Sequence, residues 1–157
     1  MAAAHPTERL AKEIMTPEPV CIELGMSIRD VARIFDENEI SGAPVVDEEG
    51  RLVGVVSRTD LVRRYASGDV DPDPKMLIEL FATEDDEDES GPMPEGLVAV
   101  TDFMTRGPVT ATPSTTLHTV AKRMVDARVH RVIVVDQGRF PVGIITSLDL
   151  VKALASL

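Results

Sequence analysis

Two stretches carry the residue types that could handle a small polar ligand. One is Val53-Gly54-Val55-Val56-Ser57-Arg58-Thr59-Asp60, the other Val142-Gly143-Ile144-Ile145-Thr146-Ser147-Leu148-Asp149. In each, an apolar run passes a hydroxyl residue and reaches an aspartate three positions later. If the run is a strand feeding a helix, the junction exposes backbone N–H groups and the positive end of the helix dipole, a place for phosphate or another anion. A carboxylate beside it can accept hydrogen bonds from two neighbouring hydroxyls, as on a ribose. The same residues have a plainer reading: Thr59 or Ser147 as a helix N-cap, with Asp60 or Asp149 as a first-turn acid favoured by the dipole. His130-Arg131 precedes a strand shortly before the second stretch. The pair puts a cation close to that strand.

The elements that must hold these residues occur twice. Adding 89 to each number from 11 to 65 gives 100 to 154 without a gap and yields 14 identities in 55 positions. Met15-Thr16 falls on Met104-Thr105, Pro19-Val20 on Pro108-Val109, Val45-Val46-Asp47 on Val134-Val135-Asp136, and Asp60-Leu61-Val62 on Asp149-Leu150-Val151. Agreement at one fixed offset is duplication. Each copy reads β-α-β-β-α over about 55 residues. A short strand (19–24 or 108–113) leads to a helix. Ser27 and Asp30 form a capping box before Ile28, Val31, Ala32 and Phe35 at helical spacing, and Leu117, Val120, Ala121 and Met124 repeat that spacing. Strands are expected at 44–47 and 52–57, and at 133–136 and 142–146, each pair joined by a short turn into a hairpin. Closing helices start near Thr59 and Ser147, the first stopping near Gly68. One such unit alone is marginal, so two copies packed through their sheets are expected.

This gives a domain plan of an N-terminal extension (1–10), a first repeat (11–65), an acidic linker (66–99) and a second repeat (100–157). The fold class is α/β (α+β). The net charge of −11 is concentrated in the linker, where eleven acids face Lys75 alone; residues 100–157 carry seven bases against four acids. That distribution argues against general nucleic-acid binding, which needs a broad basic face. The linker holds Pro72, Pro74, Pro92 and Pro94, an acidic run at 84–89 expected to be solvated, and one apolar island at 75–82 with helical potential. No apolar run reaches the roughly eighteen residues of a membrane span, and the N-terminus lacks a secretory pattern. A single cysteine, Cys21, offers neither an internal disulfide nor a metal cluster. A cytoplasmic location is expected. Cys21, in a strand without a nearby base, reads as a wall residue; His5 and His118 have no partners by spacing. No phosphate-binding loop, Gly-x-Ser-x-Gly elbow or His-Glu-x-x-His is present, so catalysis is not expected.

The repeated Met-Thr, Pro-Val, Val-Val-Asp and Gly-apolar-apolar-Ser/Thr-x-x-Asp elements resemble the cystathionine-beta-synthase (CBS) domain, and two in tandem resemble a Bateman module. The resemblance covers about 110 of the 157 residues. It implies a pseudo-twofold pair of repeats with clefts that take adenosine-type ligands (AMP, ADP, ATP or S-adenosylmethionine) as regulatory ligands rather than required cofactors. By that likeness Asp60 and Asp149 hold ribose hydroxyls. The backbone of Gly42-Ala43-Pro44 and of Val132-Ile133 flanks adenine, and Val20, Cys21, Val109 and Thr110 supply walls. Ser57, Thr59 and Thr146 offer hydroxyls, while His130-Arg131, with Arg58 as a second cation, reaches phosphate. The copies depart from one another. Leu148 stands where the first has Thr59, and Ser41-Gly42 stands where the second has His130-Arg131, so the sites are not equivalent.

The expected function is a stand-alone sensor that binds an adenine nucleotide, forms a homodimer of modules and signals to an unidentified effector, with no metal, nucleic acid or membrane involved. The alternative is a structural or interaction module whose clefts hold no nucleotide.

Overall fold

The computed structural model describes residues 5–66 and 99–156. The apolar island at 75–82, the acidic run and the helix stop at Gly68 lie outside them. In chain order the elements are α1 (Ala11–Ile14), β1 (Thr16–Pro17), β2 (Ile22–Glu23), α2 (Ile28–Glu37), β3 (Gly42–Val46), β4 (Leu52–Ser57), α3 (Arg58–Ala66), β5 (Thr105–Arg106), β6 (Thr110–Ala111), α4 (Leu117–Ala127), β7 (Arg131–Val135), β8 (Pro141–Thr146) and α5 (Ser147–Ala155). Short 3-10 turns at Pro6–Glu8 and Val100–Asp102 precede α1 and β5.

The longer helices form where apolar spacing and caps coincide. Ser27 caps α2, whose Ile28, Val31 and Phe35 are buried; Thr116 caps α4, whose Leu117, Val120 and Met124 are buried. Burying a side chain such as Phe35 contributes about 1.5–3 kcal/mol. Both helices stop at equivalent residues with left-handed backbone, Glu39 (φ 52) and Arg128 (φ 55). A side chain there carries strain that glycine would not.

Two compact units result, and each mixes the two copies. Among the described residues, the second-copy unit contains 5–19, 49–53 and 107–156. Its sheet has the order β1-β8-β7-β6, with β1 and β7 antiparallel to β8 and β6 parallel to β7. Ala11, Ala111, Val120, Met124, Val132, Val134 and Ile145 form its core. Among the described residues, the first-copy unit contains 20–48, 54–66 and 99–106. Its sheet has the order β2-β3-β4-β5, with β2 parallel to β3 and β5 antiparallel to β4. Thus each sheet is completed by a two-residue strand that starts at the threonine of the other copy's Met-Thr pair, an exchange that the periodicity does not announce.

The exchange brings a methionine against a glycine in each unit. Thr16 pairs with Ile144 and Pro17 with Gly143, while Thr105 pairs with Val55 and Arg106 with Gly54. The methionine just before each short strand lies over the glycine. A Cβ on Gly54 would meet Met104 Sδ at 2.7 Å, and one on Gly143 would meet Met15 Cγ at 2.8 Å. Neither position has room for a side chain, which explains why Met-Thr and Gly recur together at the 89-residue offset.

Candidate functional site

Each closing helix begins without a loop at the end of a strand, and its cap is the last strand residue. Ser57 and Thr146 are therefore the N-caps, not Thr59 and Ser147, which lie inside the first turn. In the first-copy unit, Asp60 Oδ2 accepts from Ser57 N (2.8 Å) and Ser57 Oγ (3.0 Å), and Ser57 Oγ accepts from Asp60 N (3.3 Å). In the second-copy unit, Asp149 Oδ2 accepts from Thr146 N (2.7 Å) and Thr146 Oγ1 (3.0 Å), and Thr146 Oγ1 accepts from Asp149 N (3.3 Å). Both are reciprocal capping boxes.

The boxes change the chemistry on offer. A hydroxyl has one proton to donate, and those of Ser57 and Thr146 go to the neighbouring carboxylate. These hydroxyls can accept from a ligand but cannot donate to a phosphate while the box stands. Each aspartate is locked through Oδ2 and keeps Oδ1 outside the box, aimed by the helix instead of by a flexible rotamer. An acceptor fixed in that way suits a sugar hydroxyl. Thr59 and Arg58 are exposed on the first turn of α3, and Ser147 and Leu148 take those places on α5.

The neighbouring strand begins beside each box. Arg58 N donates to Ser41 O (3.0 Å), and Ser147 N donates to His130 O (2.9 Å). In the second-copy unit Arg131 lies directly opposite Thr146 across the antiparallel β7–β8 pair. Residues so paired project their side chains to the same face, so Arg131 shares a face with the capping hydroxyl. His130 is exposed and Arg131 half-buried. The cationic pair therefore accompanies Asp149, within the same unit.

The expected wall residues follow the same plan. β3 and β7 both start two residues earlier than their apolar runs suggest, which places Gly42-Ala43-Pro44 and Val132-Ile133 inside strands. Ala43, Pro44, Val132 and Ile133 are buried, in strands that have a neighbouring strand on each side. The parallel register Ile22↔Val45 brings Cys21 level with Pro44, and Thr110↔Ile133 with Ile133 N bonded to Val109 O (3.1 Å) does the same for Val109 and Val132. Val20, Cys21, Val109 and Thr110 are half-buried. Burial pushes the Cys21 thiol up from its ordinary value, which keeps it protonated and unreactive near neutral pH.

One contact had no sequence signal. Arg123 Nη1, on α4, donates to Thr110 O at 2.7 Å. The two residues are thirteen apart, and the residue equivalent to Arg123 in the first copy is Ile34. Among the described residues no cluster of histidine, cysteine or carboxylate side chains could hold a metal ion, and no helix is long and apolar enough to cross a membrane.

The comparison with known proteins accords with this geometry. The uncharacterized protein MJ1426 of Methanocaldococcus jannaschii is 36% identical over 153 residues, covering 92% of this chain and 90% of that protein. The solved CBS domain pair of protein MJ0100, in complex with 5′-methylthioadenosine and S-adenosyl-L-methionine, has a TM-score of 0.73 at 26% identity over 94% of this chain and 97% of that one. The structure of CBSX2 in complex with AMP has a TM-score of 0.69 at 26% identity over 94% of this chain and 96% of that one. The CBS domain family model matches residues 11–67 and 100–156, and with the two equivalent sheets and boxes this chain belongs to the CBS-domain family as a tandem pair.

Proposed function

We propose that the protein is a regulatory module that binds an adenosine-type ligand beside Asp60 and Asp149 and passes on the resulting change in state. The observation that carries the reading is the locked carboxylate at each strand-to-helix junction, present twice with the same bonds. The ligands of the two similar CBS pairs, S-adenosyl-L-methionine, 5′-methylthioadenosine and AMP, share an adenosine with ribose hydroxyls that such an acceptor would hold. Asp60 and Asp149 take the ribose through Oδ1. The backbone at Gly42-Ala43-Pro44 and Val132-Ile133 flanks adenine, with Val20, Cys21, Val109 and Thr110 as walls. His130, Arg131 and Arg58 serve a phosphate, and Thr59 supplies the hydroxyl that Leu148 does not. Ser57 and Thr146 act by aiming their aspartates. Because the His-Arg pair stands only beside Asp149, phosphate-bearing ligands such as AMP, ADP or ATP favour the second-copy unit.

A sensor needs unequal affinity for two states. The partner through which the signal leaves is an effector protein or a second copy of the module. An exposed apolar row on α5, Leu148, Val151 and Leu154, favours an interaction role of that kind and is the specific support for a purely structural module as a second reading. Titration calorimetry of ligand-stripped protein with AMP, ADP, ATP and S-adenosylmethionine, paired with melting curves, separates the two. Binding raises the melting temperature by mass action. The sensor reading fails if neither heat nor a thermal shift accompanies any of the four.

A further inference from the structure

We propose that Arg123 is a positioning residue that holds the wall of the second-copy unit's ligand site. The inference rests on the adenosine-ligand reading above. β6 is only two residues long and lies at the edge of its sheet. Val109 O faces β7, where it accepts from Ile133 N. Backbone groups alternate in direction along a strand, so Thr110 O faces away from the sheet. An outward carbonyl on an edge strand ordinarily goes to water. Here it receives the Arg123 guanidinium at 2.7 Å. Arg123 is exposed, and α4 packs through Leu117, Val120 and Met124 instead, so this bond is not a by-product of core packing.

The consequence is a wall fixed at both sides, by β7 through Val109 and by α4 through Thr110. A short edge strand without the second tie must be ordered when a ligand arrives, and that ordering subtracts from affinity. The first copy has Ile34 in the equivalent place.

The test uses the full chain carrying Asp60→Ala, so that AMP titration reports the second-copy site alone. Arg123→Ile, which copies the first repeat, is expected to weaken AMP binding by about three- to tenfold, the span of one net hydrogen bond of ordinary strength. Arg123→Lys, which retains a donor, recovers part of the loss, and Lys122→Ala on the same helix leaves affinity unchanged. Should Arg123→Ile fail to fold, Arg123→Met lacks only the donor and carries the same comparison. AMP affinity left unchanged by Arg123→Ile, or a loss that Arg123→Lys does not relieve, overturns the proposal while leaving the ligand reading intact. Absence of AMP binding to the wild-type chain overturns both.

Discussion

Three helices among the described residues open on the same bonds: a hydroxyl, an aspartate three positions on, and a carboxylate oxygen that takes both the cap N–H and the hydroxyl. The pair Ser27–Asp30 on α2 closes with distances of 3.1, 2.9 and 3.1 Å, close to those of Ser57–Asp60 and Thr146–Asp149. What differs is the surroundings. Ser27 is only 3% exposed, is bridged to Ala99, and has Met26 O bonded to Val100 N beside it. The other two boxes sit half-buried at strand ends, with the start of a neighbouring strand bonded to the helix's first N–H. Identical cap chemistry is thus purely structural under α2 and a candidate ligand acceptor under α3 and α5. The lesson is that a box fixes where a carboxylate points, and the chain around it decides what can reach it.

The largest expected effect tests the charged side of this contrast. Arg131→Ala should weaken AMP by about 2–3 kcal/mol, the scale of hydrogen bonds to a charged group, while adenosine binding changes little. Equal losses for AMP and adenosine in calorimetry would detach Arg131 from the phosphate. Next, Gly143→Ala drives a Cβ into Met15 and should cost about 1–3 kcal/mol in denaturant unfolding, with Gly143→Ala/Met15→Ala less damaging than the single change. Additive effects would mean that the methionine is not what the glycine accommodates.

The boxes come next in size. Asp30→Ala and Asp149→Ala should each lower stability by about 1 kcal/mol through the lost cap, but only Asp149→Ala should weaken nucleotide binding. The exposed exterior position Asp126, changed to Ala, should alter neither by more than its single surface ion pair with Lys122 is worth. Should Asp30→Ala reduce binding as much as Asp149→Ala, the division between structural and functional boxes fails. The smallest effect concerns Cys21. Its folded thiol titrates above the unfolded one because burial disfavours the thiolate. A raised acid leaves stability complete below the unfolded thiol value of about 8.5 and removes some as pH climbs through the folded value. Unfolding midpoints compared between pH 7 and pH 10 should therefore fall slightly less in Cys21→Ala than in the wild type.

Much of this is legible in the chain itself. The 89-residue offset, the spacing of Ile28, Val31 and Phe35 and of Leu117, Val120 and Met124, and the Ser27–Asp30 box are local patterns. Helix period and capping act over three or four residues, so the sequence displays them directly. The hydroxyl-x-x-aspartate junctions are visible as well, though local pattern places the cap one or two residues too late. Strand and helix join there without the loop that local propensity leads one to expect.

By itself the sequence determined the duplicated order of elements, the apolar faces and the positions at which a carboxylate meets a helix start, because those depend on neighbours along the chain. Only the tertiary structure decided that Met15 lies over Gly143 and Met104 over Gly54, that the cationic pair accompanies Asp149, and that Arg123 holds Thr110. Each of those depends on which distant segments share a sheet, and that choice is made by shape and backbone hydrogen bonding across separations that no local period encodes.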